Sequence, residues 1–341
     1  MRKSDKNLFF SFTYEFLEVY MRTQLARSIA TIESYRDALT VFRHYLRDER
    51  KIIMNSFEFP HCTRDLILDF MNYLSDKGNK PGTINQRLAA LKSYLWFAAE
   101  KDTSLQSIAI SISRIKSCRN PQKEKPILDE EALKRLIEAP DNSKMGIRDK
   151  TIMILLYDSA ARIDEILSLR KQDLSVDTNA PYIHVIGKGQ KERIIALTDM
   201  TREHLRRYIS LYHSPNSPTT DLLFYTSIKG VIGKMSEANV ERFLKKYANV
   251  VRKDYPNIPD SVHPHMFRRT RATGLYRDGV DLSIVSRFLG HSHLETTRIY
   301  AIPSVEMVRK AIEKVPTQIS DEKPLWDKDS DEVLAKMCGL R

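Results

Sequence analysis

Residues 182–197 read Tyr182-Ile183-His184-Val185-Ile186, then Gly187-Lys188-Gly189-Gln190-Lys191-Glu192, then Arg193-Ile194-Ile195-Ala196-Leu197. Two β-rich runs flank a glycine-bearing turn, which is the pattern of an antiparallel hairpin. This is the one clear β signal in a chain of 341 residues. The sequence on either side carries apolar residues at helical spacing, so the expected fold is mainly α with a small antiparallel β-sheet. Only 11 glycines are present, which argues against a Gly-rich barrel or a collagen-like chain.

Upstream of the hairpin, four helices are expected before residue 115. Phe12, Phe16, Val19 and Tyr20 mark one over Phe9 to Gln24, and Tyr35, Leu39, Phe42 and Leu46 mark the second, over Thr31 to Leu46. Asp65 to Leu74 forms the third, and Pro81 opens a fourth carrying Ile84, Leu88, Leu91, Leu95 and Phe97. Four such helices make a small bundle with its own core. Residues 116–127 are polar, basic and broken by Pro121 and Pro126, which is the composition of an extended linker. The expected organisation is a helical domain over 1–115, a linker over 116–127, a larger domain over 128–316 and a tail over 317–341. Asp129 is placed to cap a helix from Glu130 to Glu138.

Lys and Arg number 55 against 44 Asp and Glu, a formal charge of +11. A basic chain of ordinary globular composition makes nucleic acid the first partner to test. Cys62, Cys118 and Cys338 are scattered and odd in number, which fits neither a zinc knuckle nor a disulfide framework, and a reducing cytoplasm is the simplest compartment. No signal peptide and no apolar run of membrane length is expected.

Chemistry concentrates in the second half. An apolar helix through Ile152-Met153-Ile154-Leu155-Leu156 ends in Ser159-Ala160-Ala161, and Arg162 begins the next helix. An arginine beside so much apolar sequence must be paired or face an anion. Glu165, one turn on, is expected to hold it, with Asp164 as a competitor. Lys188 sits at the hairpin tip. His265 and Arg268 share one helix face, and His263 with His265 makes an HxH pair that lacks a carboxylate or cysteine to complete a metal site. Asp281 caps a helix to Leu289, Gly290 stops it, and His291 and Tyr300 follow. Read singly, each has an ordinary structural explanation: a surface ion pair, a turn, a cap, a half-buried aromatic.

Taken in order, the set resembles the tyrosine recombinases, the phage integrase family. The resemblance lies in Ala161-Arg162-Ile163-Asp164-Glu165-Ile166, Val185 through Arg193, Pro264-His265-Met266-Phe267-Arg268-Arg269-Thr270, and Leu289-Gly290-His291-Ser292 through Thr296-Thr297-Arg298-Ile299-Tyr300. It implies a helical, SAM-like core-binding domain and a catalytic domain clamping double-stranded DNA. It also implies catalytic roles for Arg162, Lys188, His265, Arg268, His291 and the nucleophile Tyr300, with a 3′-phosphotyrosyl intermediate. Ala160 and Arg269 depart from the family's frequent Gly and His, and Ala160 is expected to make its turn without positive φ.

The residue types suit that chemistry. Guanidinium forks bind phosphate oxygens bidentately and stay charged, which suits Arg162 and Arg268. His291 offers a third hydrogen bond. Lys188 can protonate the leaving 5′-oxygen, and His265 is the candidate for proton transfer with Tyr300. No metal and no cofactor is expected. Arg36, Arg43, Arg87 and Lys92 are candidate DNA contacts in the first domain, where any one can equally be a solvated surface charge.

Beyond Tyr300, Ser304 starts an expected helix with Val305, Val308, Ile312 and Val315, and a short amphipathic stretch near 333–337 follows. The resemblance implies a tail passed to a neighbouring subunit within a homo-tetramer on DNA. The expected activity is site-specific recombination, for integration, excision or transposition of a mobile element, given the tail's length and the expectation that no arm-binding domain precedes residue 8. The alternatives are Xer-like resolution of chromosome or plasmid dimers, a type IB topoisomerase-like activity, and an inactive DNA-binding accessory factor.

Overall fold

Phe9 is fully buried against Phe10, Phe42, Phe57, Phe59 and Tyr94, with ring centroids 4.9 to 5.6 Å apart. That aromatic cluster is the centre of one of two compact units, Met1–Glu124 and Lys125–Arg341, into which the computed structural model divides. The structure describes residues 7–119, 125–187, 191–291, 293–300, 309 and 331–340.

The first unit contains α1 (Glu15–Gln24), α2 (Ile29–Asp48), α3 (Arg64–Asp76), α4 (Pro81–Lys101) and α5 (Gln106–Ser113). The starts follow local chemistry. The hydroxyls of Ser28 and Thr63 accept from the backbone N–H of Thr31 and Leu66, and Pro81 occupies the first turn of α4. Two expectations change. Helical structure begins only at Thr13, four residues late, and from Glu15 its hydrogen bonds are of the wide π type. The preceding run is diverted: Leu8 bridges Glu58, and the N–H of Phe9 donates to the carbonyl of Phe57 at 2.9 Å. The α5 helix, short and with little amphipathic contrast, had no sequence signal strong enough to be expected.

The second unit is built around α7. It opens with α6 (Glu130–Glu138), capped by Asp129, whose carboxylate accepts from Ala132 N–H at 2.7 Å. In α7 (Lys144–Ser159) the residues Ile152 through Leu156 are at most 2 % exposed. A helix apolar on every side has to be surrounded. The elements that follow are α8 (Ile163–Leu167), the antiparallel sheet β1 (Leu174–Ser175), β2 (Tyr182–Gly187) and β3 (Lys191–Ala196), and α9 (Asp199–Tyr212). Then come the hairpin β4 (Tyr225–Ile228) and β5 (Val231–Lys234), α10 (Glu237–Val251), α11 (Pro264–Arg277), α12 (Leu282–Leu289), α13 (Glu295–Arg298) and α14 (Asp331–Met337). The α6 helix, together with the later helices α8, α9 and α11, packs against α7.

The expected hairpin is present, with pairing from Tyr182↔Ala196 to Gly187↔Lys191, so the ladder runs further into the turn than the glycines suggested. Buried Asp158 ties the end of α7 to α9, accepting from the N–H and hydroxyl of Thr198 at 3.0 Å each and from the Thr201 hydroxyl at 2.8 Å.

Ala160 corrects a further expectation. Its φ is +46° and ψ 23°, so the turn after α7 is left-handed although it holds no glycine. Such a conformation costs an alanine roughly 1–2 kcal/mol. Burial of its methyl group with Ala272, Val285, Leu289 and Tyr300 offsets that cost. Apart from Arg309, the helix expected from Ser304 to Val315 lies outside the described residues, as do the tail residues 317–330. Among the described residues, no helix is long and apolar enough to cross a membrane.

Phe9→Ala should destabilise the first unit by about 3–5 kcal/mol, the usual cost of an emptied aromatic site. Tyr14, 76 % exposed five residues later, should change stability by no more than about 0.5 kcal/mol when replaced by Ala. Urea unfolding of the full chain checks both, and equal midpoint shifts would contradict the packing described.

Candidate active site

Four elements of the second unit converge on one patch of charge. Arg162 is the N-cap residue of α8, and Glu165 lies in the first turn of that helix. The Glu165 carboxylate accepts from the Arg162 guanidinium at 2.9 Å and from the Arg162 backbone N–H at 2.8 Å. The ion pair expected from the i, i+3 spacing is therefore formed. The competing Asp164 faces elsewhere, onto Lys234, whose ammonium donates to it and to Ser168 at 2.6 Å each.

Arg268 comes from α11 and is 3 % exposed. Its guanidinium donates to the carbonyl oxygens of Ala160 at 2.6 Å and Leu289 at 2.8 Å, and to His291 Nε2 at 3.0 Å. Arginine can only donate, so Nε2 of His291 is the acceptor there and the neutral ring carries its proton on Nδ1, which donates to the Thr297 hydroxyl at 2.8 Å. Tyr300, 9 % exposed, stacks against His291 with ring centroids 6.1 Å apart and planes 20° from parallel.

The electrostatics follow from crowding. Burial and the nearby Arg162 charge push the Arg268 guanidinium down to about 10. Burial, and then Arg268, Arg162 and Arg193, push His291 down to about 4, so its ring is neutral at pH 7. Burial alone would raise Glu165, but hydrogen bonds from Arg193 and Arg162 hold it below the usual carboxylate range. Desolvation and the Arg268 charge lower His265.

The structure thus brings Arg162, Glu165, Arg268, His291 and Tyr300 together. His265 lies one turn from Arg268 but is exposed, and no hydrogen bond joins it to a described residue; its ring lies 6.5 Å from that of His263. Lys188 lies outside the described residues. Its neighbour Gly187 borders the site, since a Cβ there would come within 3.0 Å of Glu165 Oε1. Among the described residues, no group of three or more His, Cys, Asp or Glu is arranged to hold a metal ion.

Two contributors carried no assignment from sequence, Thr297 and Arg193. Thr297 is one of several hydroxyls in a short helix, and nothing in its spacing singles it out. Arg193 had a usable signal: it alternates with Ile195 and Leu197 on the inward face of its strand, where a buried charge needs a partner.

In the first unit, the four basic candidates all have intramolecular partners. Arg36 pairs with Glu18 at 2.6 Å, Arg43 bonds His44 at 2.9 Å, and Arg87 donates to the Asn79 side chain at 2.9 Å. The Lys92 ammonium closes the end of α5, donating to the carbonyls of Ser113 at 3.0 Å and Ile115 at 2.6 Å.

Comparison with known proteins places this geometry. The phage integrase family matches residues 126–307, and the phage integrase N-terminal SAM-like domain matches residues 15–102. Tyrosine recombinase XerC of Staphylococcus carnosus is 30 % identical over 284 residues, covering 82 % of this chain and 88 % of that protein. Tyrosine recombinase XerD of Staphylococcus epidermidis is 29 % identical over 296 residues, covering 85 % and 94 %. Among solved structures, the Tn1549 transposon integrase in complex with transposon right end DNA aligns with a TM-score of 0.67 at 16 % identity, covering 88 % of this chain and 98 % of that one. XerH recombinase bound to a palindromic difH substrate aligns with a TM-score of 0.65 at 22 % identity, covering 84 % and 80 %. With both halves matched, and the arginines, histidine and tyrosine of its motifs gathered at one site, the chain belongs to the phage integrase family of tyrosine recombinases, enzymes that cleave and rejoin DNA.

Proposed function

We propose that this protein recombines DNA at specific sites, using Tyr300 as the nucleophile and Arg162, Arg268 and His291 as the cradle for the scissile phosphate. One observation carries this reading: Arg268 is a buried cation whose described partners are two backbone carbonyls and a neutral imidazole, with no carboxylate of its own. Burying a charge in such surroundings is costly unless an anion completes the site. A phosphodiester supplies that anion, and its oxygens gain charge in the transition state, where preorganised donors are worth most.

In the reaction, the Tyr300 oxygen bonds to phosphorus as the bond from phosphorus to the 5′-oxygen breaks. His265 takes the phenolic proton and Lys188 gives one to the departing oxygen. The phosphotyrosyl bond keeps the energy for rejoining, when a 5′-hydroxyl attacks and Tyr300 leaves. Phosphate contacts from Arg36, Arg43 and Arg87 would position the first unit once DNA competes for their present partners. Lys92 is the weakest of the four candidates, since its ammonium is committed to the end of a helix.

The biological setting we favour is movement of a mobile element by a homo-tetramer on two duplexes, in the cytoplasm. Forty-one residues follow Tyr300, enough to link neighbouring subunits, and the three cysteines are free thiols. A second reading, resolution of chromosome or plasmid dimers, is favoured by likeness to proteins named XerC and XerD over more than four-fifths of the chain.

The first test is a duplex that the protein itself selects from a random pool, nicked so that cleavage is trapped. The native protein should leave a denaturant-resistant, protease-sensitive adduct on a DNA 3′ end, and Tyr300→Phe should bind the same duplex and leave none. An adduct from the Phe protein would move the nucleophile elsewhere.

Arg268→Lys should cleave about 10²–10³-fold more slowly while keeping most of its DNA affinity, because a point charge cannot reproduce the fork. Equal single-turnover rates would remove Arg268 from the cradle.

Acid should act through His291. Its folded-state pKa of about 4 lies below the ordinary 6.5. Between those values the unfolded chain binds a proton that the folded chain refuses, so this group's contribution to stability is full above pH 6.5 and falls as pH drops towards 4. Nitrogen-15 NMR of the histidine-labelled free protein should find His291 titrating near 4; a midpoint at the ordinary histidine value would contradict the three-guanidinium environment.

A further inference from the structure

We infer that Arg193 is a positioning residue for strand cleavage, holding Glu165 so that Arg162 keeps both its place and its charge for the phosphate; this rests on the reading of Arg162 as part of the phosphate cradle.

The geometry is specific. Arg193 stands in β3 with its side chain 14 % exposed, and its guanidinium grips Glu165 bidentately, Nη1 to Oε1 at 3.1 Å and Nη2 to Oε2 at 2.8 Å. Glu165 is thus shared. Its Oε1 accepts from the guanidiniums of Arg162 and Arg193, and its Oε2 accepts from the Arg162 backbone N–H and from Arg193 Nη2. The carboxylate is 4 % exposed, so its rotamer is set by these contacts and not by water.

Charge leads to the same assignment. With Arg162 alone, the single negative charge of Glu165 would balance it fully, and a bound phosphate would meet a neutral pair. Arg193 takes up that charge from the far side, leaving a net positive field in front of Arg162, which is 34 % exposed and able to meet a ligand.

The same side chain also supports the opposite wall. Gly290 has φ +68°, and a Cβ there would lie 2.9 Å from Arg193 Nη1 and 3.1 Å from its Cζ. The glycine is required twice over, by its backbone conformation and by the guanidinium against it. His291 follows directly. One arginine therefore braces the carboxylate behind Arg162 and the turn that delivers His291. Gly187, paired with Lys191 at the end of the ladder, would carry a Cβ 3.4 Å from Arg193 Nη1.

The test uses the full-length protein and the trapped duplex described above. Arg193→Gln should reduce the single-turnover cleavage rate roughly 10–100-fold, as misplaced supporting groups do, with the dissociation constant for the duplex changed by less than about 3-fold. Arg193→Lys keeps the charge but not the fork, so it should recover only part of the rate and serves as the readout should the Gln protein melt early. A Glu165→Gln background isolates the route, because with the carboxylate gone, adding Arg193→Gln should cost less than about 3-fold more. Cleavage by Arg193→Gln and Arg193→Lys at the native rate would overturn the inference, and so would an undiminished loss in the Glu165→Gln background. Absence of a Tyr300-linked adduct from the native protein would instead overturn the proposed function itself, so the two failures are distinguishable.

Discussion

The second unit is organised around a buried charge that has no carboxylate partner among the described residues. Arg268 is nearly inaccessible, and the groups that hold it are carbonyl dipoles and a histidine lone pair. Such an arrangement is expensive in an empty site and becomes favourable when a phosphate enters. The neighbouring features follow from it. His291 is neutral because burial penalises its charged form, and the guanidiniums of Arg268, Arg162 and Arg193 add to that. The Thr297 hydroxyl accepts a hydrogen bond from the ring's Nδ1–H, and the Glu165 carboxylate holds the Arg162 guanidinium.

Glu165 and Arg268 divide the work differently. The first is a buried carboxylate satisfied on all sides by guanidinium and backbone donors, so it gives the site rigidity. The second is a buried guanidinium with capacity left for a ligand. Rigidity and capacity for a ligand therefore lie on separate hydrogen-bonded groups, and Tyr300 packs in the small apolar cluster with Ala160, Ala272, Val285 and Leu289.

Much of this was legible in the sequence because its signals are local. A hairpin is written in alternation and glycine, a cap in one side chain before a helix, and the pairing of Arg162 with Glu165 in a spacing of three. Family motifs then joined stretches more than a hundred residues apart. What remained hidden depends on distant contacts. The Phe9 region read as helix because its apolar spacing allowed one, but pairing with Phe57 and Glu58 prevailed. The left-handed turn at Ala160 went unforeseen because its support comes from α11, α12 and Tyr300. The basic residues of the first unit looked alike in sequence, and only the fold separates Lys92, which closes a helix, from the others.

The two carbonyls that hold Arg268 have one more consequence. They belong to the main chain of Ala160 and Leu289, and no change of side chain can delete a carbonyl. The residues around this arginine can drift through many apolar alternatives while its anchors stay in place. Vulnerability is shifted to the path of the backbone, to the left-handed turns at Ala160 and Gly290, where one unsuitable residue would re-aim an anchor. The position of the buried cation is thus inherited from chain geometry more than from chemical identity, which leaves the side chains around it free to diversify without moving it.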